Sequence, residues 1–332
     1  MKQYNIAVVG LGATGSVLAA ALLGKFPDTV CVGRNPGAGA KLEEGGIRVS
    51  GAIQHQAPVK TYISQIRELK NYHPDLVFLA TKTFHLQSVL RELEAVYRPG
   101  LKLIATQNGL GAEDLIADKF GEDAVFRMSL NYGASLTGIG EVETAFFNPP
   151  NHLGSLTGQN DELGSDIAKM LTAGGLETEI VDDIKFSVWK KMIMKCTMAS
   201  ICAVTDKTIK DALDFPPTRE IADACFQEAV SVAKAMGYDF GPDYLDQALA
   251  YLAKVGVHRD SMCFDIDHKR PTEIDFLGAK IVEYARQKDI ATPFYQAMTN
   301  MVKGIESNYL EVGSRNAEVG SGEKKEGEKL RR

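Results

Sequence analysis

The chain has little cysteine, no long apolar run and no excess of positive charge, and each shortage removes a class of protein. Cys31, Cys196, Cys202, Cys225 and Cys263 are odd in number and scattered. They form no Cys-x-x-Cys pair and no metal-ligand spacing, so they read as reduced core residues rather than as a disulfide framework. No stretch reaches the roughly 20 apolar residues that a membrane-spanning helix needs. The N-terminus enters a strand at once, which on this reading leaves no room for a signal peptide. A cytoplasmic protein without a membrane partner is expected. Lys and Arg number 37 against 43 Asp and Glu, a net charge of −6. That balance argues against nucleic acid as the main partner, because a phosphate backbone is met by a basic surface. His55, His73, His85, His152, His258 and His268 show neither a metal spacing nor a His/carboxylate dyad. No metal is expected, and chemistry built on histidine is disfavoured. No internal repeat is evident.

What is present is more specific. The 332 residues suffice for two domains, and 45% hydrophobic with 24% charged residues suits a soluble globular protein with a large core. Tyr4-Asn5-Ile6-Ala7-Val8-Val9 runs into Gly10-Leu11-Gly12-Ala13-Thr14-Gly15, then into the apolar helix Ser16–Leu23. Strand, glycine turn and helix start in that order form the phosphate-cradling half of a dinucleotide site. Gly10 permits the turn, Gly12 admits a pyrophosphate, and Gly15 lets helix and strand pack closely. The helix N-terminus presents N–H groups and partial positive charge to the anion. The next strand, Val30-Cys31-Val32, ends on Gly33-Arg34. An NAD site usually has Asp or Glu there for the ribose hydroxyls. Arg34 instead offers a cation for the extra phosphate of NADP, so NADPH is the expected cofactor.

Strand and helix signals then alternate. Strands are expected at 47–49, 76–80, 101–105, 124–126, 143–147 and 178–181, with helices at 83–97 and 112–120, which together make a doubly wound sheet. Lys82 and Asn108 each lie just past a strand end, where ligands of such sheets bind. From Asp183 helical patterns take over, at 184–204, 218–236, 243–255, 274–287 and 293–310. The expected organisation is a Rossmann-type α/β domain over 1–182, an all-helical substrate and catalytic domain over 183–312, and a charged disordered tail over 313–332. The default substrate site is the cleft between the domains.

The helix from Ile184 is apolar on nearly every side, which marks it as buried. Lys191 and Lys195 sit one turn apart on it. An unpaired buried ammonium is costly, so the two lysines either line a polar cavity or snorkel to water. Downstream, Thr272 is expected to begin a helix with Glu273 and Asp275 in its first turn, where acids are favoured by the dipole.

These residues resemble the ketopantoate reductases (2-dehydropantoate 2-reductases). The resemblance rests on Gly10-x-Gly12-Ala13-x-Gly15, Gly33-Arg34, Thr81-Lys82, Gln107-Asn108-Gly109, Trp189-x-Lys191, Ser261-Met262 and Thr272-Glu273-Ile274-Asp275, in order over residues 1 to about 310. It implies a 6-phosphogluconate-dehydrogenase-like layout and NADPH-dependent reduction of a small-molecule 2-oxo acid, most simply ketopantoate to pantoate in pantothenate biosynthesis. It assigns Lys191 as general acid and Glu273 as the carboxylate that contacts the cofactor and orients lysine and substrate. It places Lys82, Asn108 and the backbone at Ala134 on the cofactor, and Asn108, Lys191 and Ser261 on the substrate. The family pattern has Asn one and two turns beyond the catalytic lysine. Here those positions are Lys195 and Ala199, which bears on the substrate more than on the chemistry. Lys195 would either depress the pKa of Lys191, from the ~10.4 of a free lysine, or clamp a substrate carboxylate, or point away. An opine-type dehydrogenase, a reductase of another 2-oxo acid and an NADP(H)-sensing binding protein stay open, as does a homodimer.

Overall fold

The computed structural model describes residues 3–158, 162–255, 257 and 259–310. His258 and the tail expected to be disordered over 313–332 lie outside the described residues. The chain divides into two compact units, Met1–Lys191 and Met192–Arg332.

The first unit runs β1 (Ile6–Val9), α1 (Ala13–Leu23), β2 (Val30–Val32), α2 (Ala38–Gly45), β3 (Ile47–Gly51), β4 (His55–Ala57) and β5 (Tyr62–Ile63). It continues with β6 (Leu76–Leu79), α3 (Leu86–Leu93), β7 (Lys102–Ala105), α4 (Ala112–Phe120) and β8 (Val125–Ser129). Then come β9 (Tyr132–Gly138), β10 (Glu141–Phe147), β11 (Asn151–Ser155), α5 (Glu162–Ala173) and β12 (Thr178–Ile180). The long helix α6 (Ile184–Thr205) carries the division between the units.

The main sheet has the order β12-β11-β8-β7-β6-β1-β2-β5. From β5 to β8 all neighbours are parallel, and the order reverses between β1 and β6, the point where doubly wound sheets bind ligands. β1 and β6 are buried along their whole length, as expected of strands covered on both faces. β11 joins antiparallel to β8, with β12 parallel beyond it.

The strands at 47–49 and 143–147 are not part of this sheet. They pair in parallel as β3 and β10 inside a separate sheet of order β4-β3-β10-β9. The reason is visible in their chemistry: Ile47 and Val49 are buried while Arg48 is exposed, and Val142 and Thr144 are buried while Glu141, Glu143 and Ala145 are exposed. Alternation of that kind suits a sheet with one covered face. The covered face packs with α1 and the main sheet into one core holding Val8, Phe78, Leu18, Leu22, Ile47 and Val142. With a sheet on either side, α1 is apolar all round, and Val17 through Leu23 are at most 2% exposed.

Other boundaries shift. The helix expected over 83–97 is a 3-10 turn, Thr83–His85, followed by the shorter α3. The strand expected to stop at Phe126 runs on to Ser129 and buries Arg127.

The second unit is helical: α7 (Ile209–Asp214), α8 (Pro216–Ala235), α9 (Tyr244–Val255), α10 (Ser261–Asp267), α11 (Gly278–Gln287) and α12 (Pro293–Ser307). The helix expected to begin at Thr272 does not. A 3-10 turn, Ile274–Phe276, comes first, and Thr272 Oγ1 accepts from the Ile274 N–H at 3.3 Å. The α-helical turns resume only at Gly278, with Glu273 as the residue before the 3-10 turn. α10, unmarked by any long apolar period, starts where the Asp260 carboxylate accepts from the Met262 N–H at 2.9 Å. None of the described helices is long and apolar enough to cross a membrane.

Candidate active site

The glycine loop joins β1 to α1; Leu11 in the loop and Ala13 and Thr14 at the start of α1 are half-buried. Gly10 has φ +99°, and a Cβ there would stand 2.7 Å from the Thr81 backbone nitrogen at the end of β6. A Cβ at Gly15 would lie 1.8 Å from the Gly10 carbonyl oxygen, so helix and turn close only on glycine. Gly12 is different. Its φ of −75° suits any residue, and a Cβ would meet nothing within 4 Å. Packing places no demand on that glycine, and the space beside it opens onto the N-terminus of α1, which no side chain caps. A bare helix N-terminus under an open glycine is the chemistry of an anion site. Tyr132, at the start of β9, donates to the Thr14 carbonyl at 3.1 Å and ties the small sheet to this loop.

Around the switch point the candidate residues fall at strand ends. Arg34, exposed, follows β2 and sets its guanidinium against the ring of His85, Nη2 to Nε2 at 2.6 Å. Lys82 precedes the 3-10 turn after β6. Ala134 lies in β9, opposite Thr144 of β10. Two side chains at these ends carry buried polar atoms with no hydrogen-bond partner: half-buried Thr81, through Oγ1, and buried Gln107, through Oε1 and Nε2. Orphaned polar atoms at a ligand edge suit a site that a bound molecule completes.

Asn108 and Lys191 are brought together. Lys191, on α6, donates to Asn108 Oδ1 at 3.2 Å and to the Leu130 carbonyl at 2.5 Å. α6 is held by Lys185, whose ammonium bonds Asp114 Oδ1 at 2.8 Å on the first turn of α4. Nearby, β11 carries His152, 3.3 Å from Glu179 Oε1. Burial and the ammonium groups of Lys190 and Lys191 together outweigh Glu179 and hold His152 below its ordinary pKa of 6.5.

In the second unit Lys195 and Ser261 come together, around a residue that no motif marked. Lys195 Nζ bonds both Asp260 oxygens, at 2.8 and 2.6 Å, and Ser261 Oγ at 2.9 Å. Lys195 is thus paired with a carboxylate of its own unit. Glu273 is half-buried, and Ala199 is fully buried and offers no polar atom.

Sequence reasoning also passed over Arg127, Glu113 and His85. Arg127 carried a signal, a lone cation inside the apolar run Val125-Phe126-Arg127-Met128. Glu113 read as one more acid in a helix's first turn. Among the described residues no three His, Cys, Asp or Glu side chains are grouped to hold a metal.

A dinucleotide-type sheet with a lysine at its ligand edge, followed by a helical unit, defines a nicotinamide-dependent oxidoreductase. The family profile for ketopantoate reductase PanE/ApbA matches residues 6–158, and the profile for the C-terminal part of the same proteins matches residues 183–306. The chain belongs to the ketopantoate reductase family, oxidoreductases that act on a CH–OH group. It is 27% identical over 309 residues to a 2-dehydropantoate 2-reductase of Archaeoglobus fulgidus, covering 92% of this chain and 99% of that one. The crystal structure of a 2-dehydropantoate 2-reductase from Geobacter metallireducens superposes with a TM-score of 0.84 at 22% identity, over 90% of this chain and 99% of the other. A ternary structure of D-mandelate dehydrogenase with NADH and anilino(oxo)acetate has a TM-score of 0.82 at 22% identity, over 92% and 99%.

Proposed function

We propose that the protein reduces a 2-oxo acid to its 2-hydroxy acid with NADPH, in the cytoplasm, with ketopantoate to pantoate as the first reaction to test. The observation that carries this reading is the Lys191 ammonium, held by Asn108 and Leu130 at the carboxyl edge of the sheet. Bound NADPH supplies the hydride that reduces the carbonyl carbon. Lys191 donates a proton to the carbonyl oxygen as that charge develops, and a positioned acid of this kind is worth about 10²–10⁴ in rate. Asn108 keeps the ammonium oriented. The open space at Gly12 and the uncapped start of α1 take the pyrophosphate, while Lys82 and the backbone at Ala134 serve the rest of the cofactor. Arg34, with His85 beside it, meets the ribose 2′-phosphate, where a bidentate guanidinium is well suited. By the family resemblance, Ser261 bonds the substrate and Glu273 orients it together with Lys191.

A 2-oxo acid other than ketopantoate is favoured by one feature. The family's two Asn positions are Lys195 and Ala199, and the Lys195 ammonium is engaged by Asp260 and Ser261. NADPH oxidation across a panel of 2-oxo acids, with and without an added amino acid, on wild type and Lys191→Ala, tests the proposal. Turnover that Lys191→Ala abolishes supports it. Dependence on the amino acid indicates an opine-type enzyme, and tight NADPH binding without turnover indicates a sensor. Either result overturns the reading.

A further inference from the structure

Arg127 is the largest fully buried side chain of the described residues, 1% exposed, and it stands in the middle of β8. A guanidinium is expensive to bury unless every donor is used. Here the donors converge on one place. Nη2 bonds the carbonyls of Gln107, at 2.6 Å, and Gly109, at 3.1 Å. Nη1 bonds those of Ala105, at 3.2 Å, and Met128, at 3.0 Å. Nε faces Glu113, on the first turn of α4, at 3.1 Å, in a pair whose side chains are 2% and 4% exposed. Three of the four carbonyls bracket Asn108. The fourth lies on β8, two residues before Leu130. Asn108 and Leu130 both accept from the Lys191 ammonium. One buried cation therefore ties the loop carrying the first acceptor to the strand carrying the second. Gly109 (φ +112°) and Gly111 (φ +80°) leave that loop a backbone that side chains do not stiffen. Asp114, next to Glu113, anchors α6 through Lys185, so a single helix start sets both the loop and the helix that delivers the lysine.

We propose that the buried Arg127–Glu113 pair is the positioning device for the proton donor: it fixes the 105–109 loop against β8 and so sets where Asn108 and Leu130 hold the Lys191 ammonium. Arg127 is fully buried and acts through Asn108 and Leu130. The inference rests on the reading of Lys191 as the acid. A displacement of about 1 Å at a reacting group can cost about 100-fold in rate, and that is the scale expected when the tether is lost.

The test removes both charges together, since removing one strands the other. Arg127→Met/Glu113→Met keeps the volume, and Arg127→Lys keeps the charge but cannot span four carbonyls. With saturating NADPH and 2-oxo acid, kcat should fall about 30- to 100-fold in each. Affinity for 2′,5′-ADP, which engages only the adenosine end of the site, should stay within about twofold, because no contact to it is removed. A second readout needs no turnover. Competitive acetylation of Lys191, measured by mass spectrometry against Lys190 on the same helix, should rise about three- to tenfold on loss of the held geometry. A fall in melting temperature with kcat and Lys191 labelling unchanged would overturn the proposal and leave the pair a structural one. If wild type reduces no 2-oxo acid, the function fails instead, and the labelling still decides the positioning role. Should the Met pair not fold, Arg127→Lys carries the test.

Discussion

Asp260 holds two things at once, and removing it has a size that the structure sets. Its carboxylate receives the Lys195 ammonium at 2.8 and 2.6 Å and accepts from the Met262 N–H at 2.9 Å, where α10 begins. Losing an N-cap carboxylate costs about 0.5–2 kcal/mol. Breaking a fully buried ion pair costs about 3–5 kcal/mol. This pair is not fully buried: the side chains are 18% and 6% exposed, and Ser261 Oγ remains 2.9 Å from the ammonium. A cost of about 1–3 kcal/mol for that part is therefore appropriate, since water reaches the stranded lysine. Asp260→Ala should destabilise by about 1.5–5 kcal/mol in total, read as a melting temperature lower by about 2–7 °C. Lys195→Met separates the contributions. In that background Asp260→Ala should cost only the cap, leaving a coupling of about 1–3 kcal/mol in the double-mutant cycle. Differential scanning calorimetry of the four proteins measures it. An equal loss in both backgrounds would refute the reasoning, because the ammonium would then not depend on Asp260.

Four further outcomes follow from the same geometry. Gly12→Ala should melt within about 1 °C of wild type, since the new methyl meets no protein atom, yet bind NADPH at least about tenfold more weakly by fluorescence titration if a pyrophosphate occupies that space. Arg34→Ala should raise the NADPH dissociation constant about 10- to 100-fold, the worth of a hydrogen bond to a charged group, and leave NADH within about twofold. Lys191→Ala should lower kcat about 10²–10⁴-fold with little change in NADPH affinity, as steady-state kinetics and titration would show. The last concerns pH. Burial holds His55 below its ordinary pKa of 6.5, and His152 is depressed too. Below pH 6.5 the unfolded chain takes up protons that these folded histidines still refuse. Stability is therefore present at pH 7 and above and falls as the pH drops from 6.5 through the lowered folded values. His55→Gln should flatten that fall in calorimetry across pH 5 to 7.5, and an unchanged slope would exclude His55 as a source.

Much of the fold was legible because its signals are local. β1, the glycine turn and α1 occupy consecutive residues, and their chemistry, including the bare helix start at Gly12, is complete within them. β6 and β7 are short apolar runs with breakers on either side. What went unread depends on distant partners. β3 and β10 pair across some ninety residues, and no local pattern states that pairing or separates the small sheet from the large one. α10 is a single capped stretch rather than a periodic one, and nothing local marks Asp260 as the acceptor shared by Lys195 and the Met262 N–H.

The chain's own order of residues determined that there is a nucleotide-type sheet, a glycine turn before a bare helix start, a helical second half and a lysine on its first long helix. Each of those follows from spacing, side-chain size and backbone freedom within a few turns of chain. Which acceptors hold that lysine, that Lys195 is neutralised, and that Arg127 gathers three carbonyls around Asn108 were decided only by the tertiary fold. The physical reason is burial. Once a charge is taken from water, its energy depends on whatever partner the rest of the structure brings within about 3 Å, and that distance is not written in sequence separation.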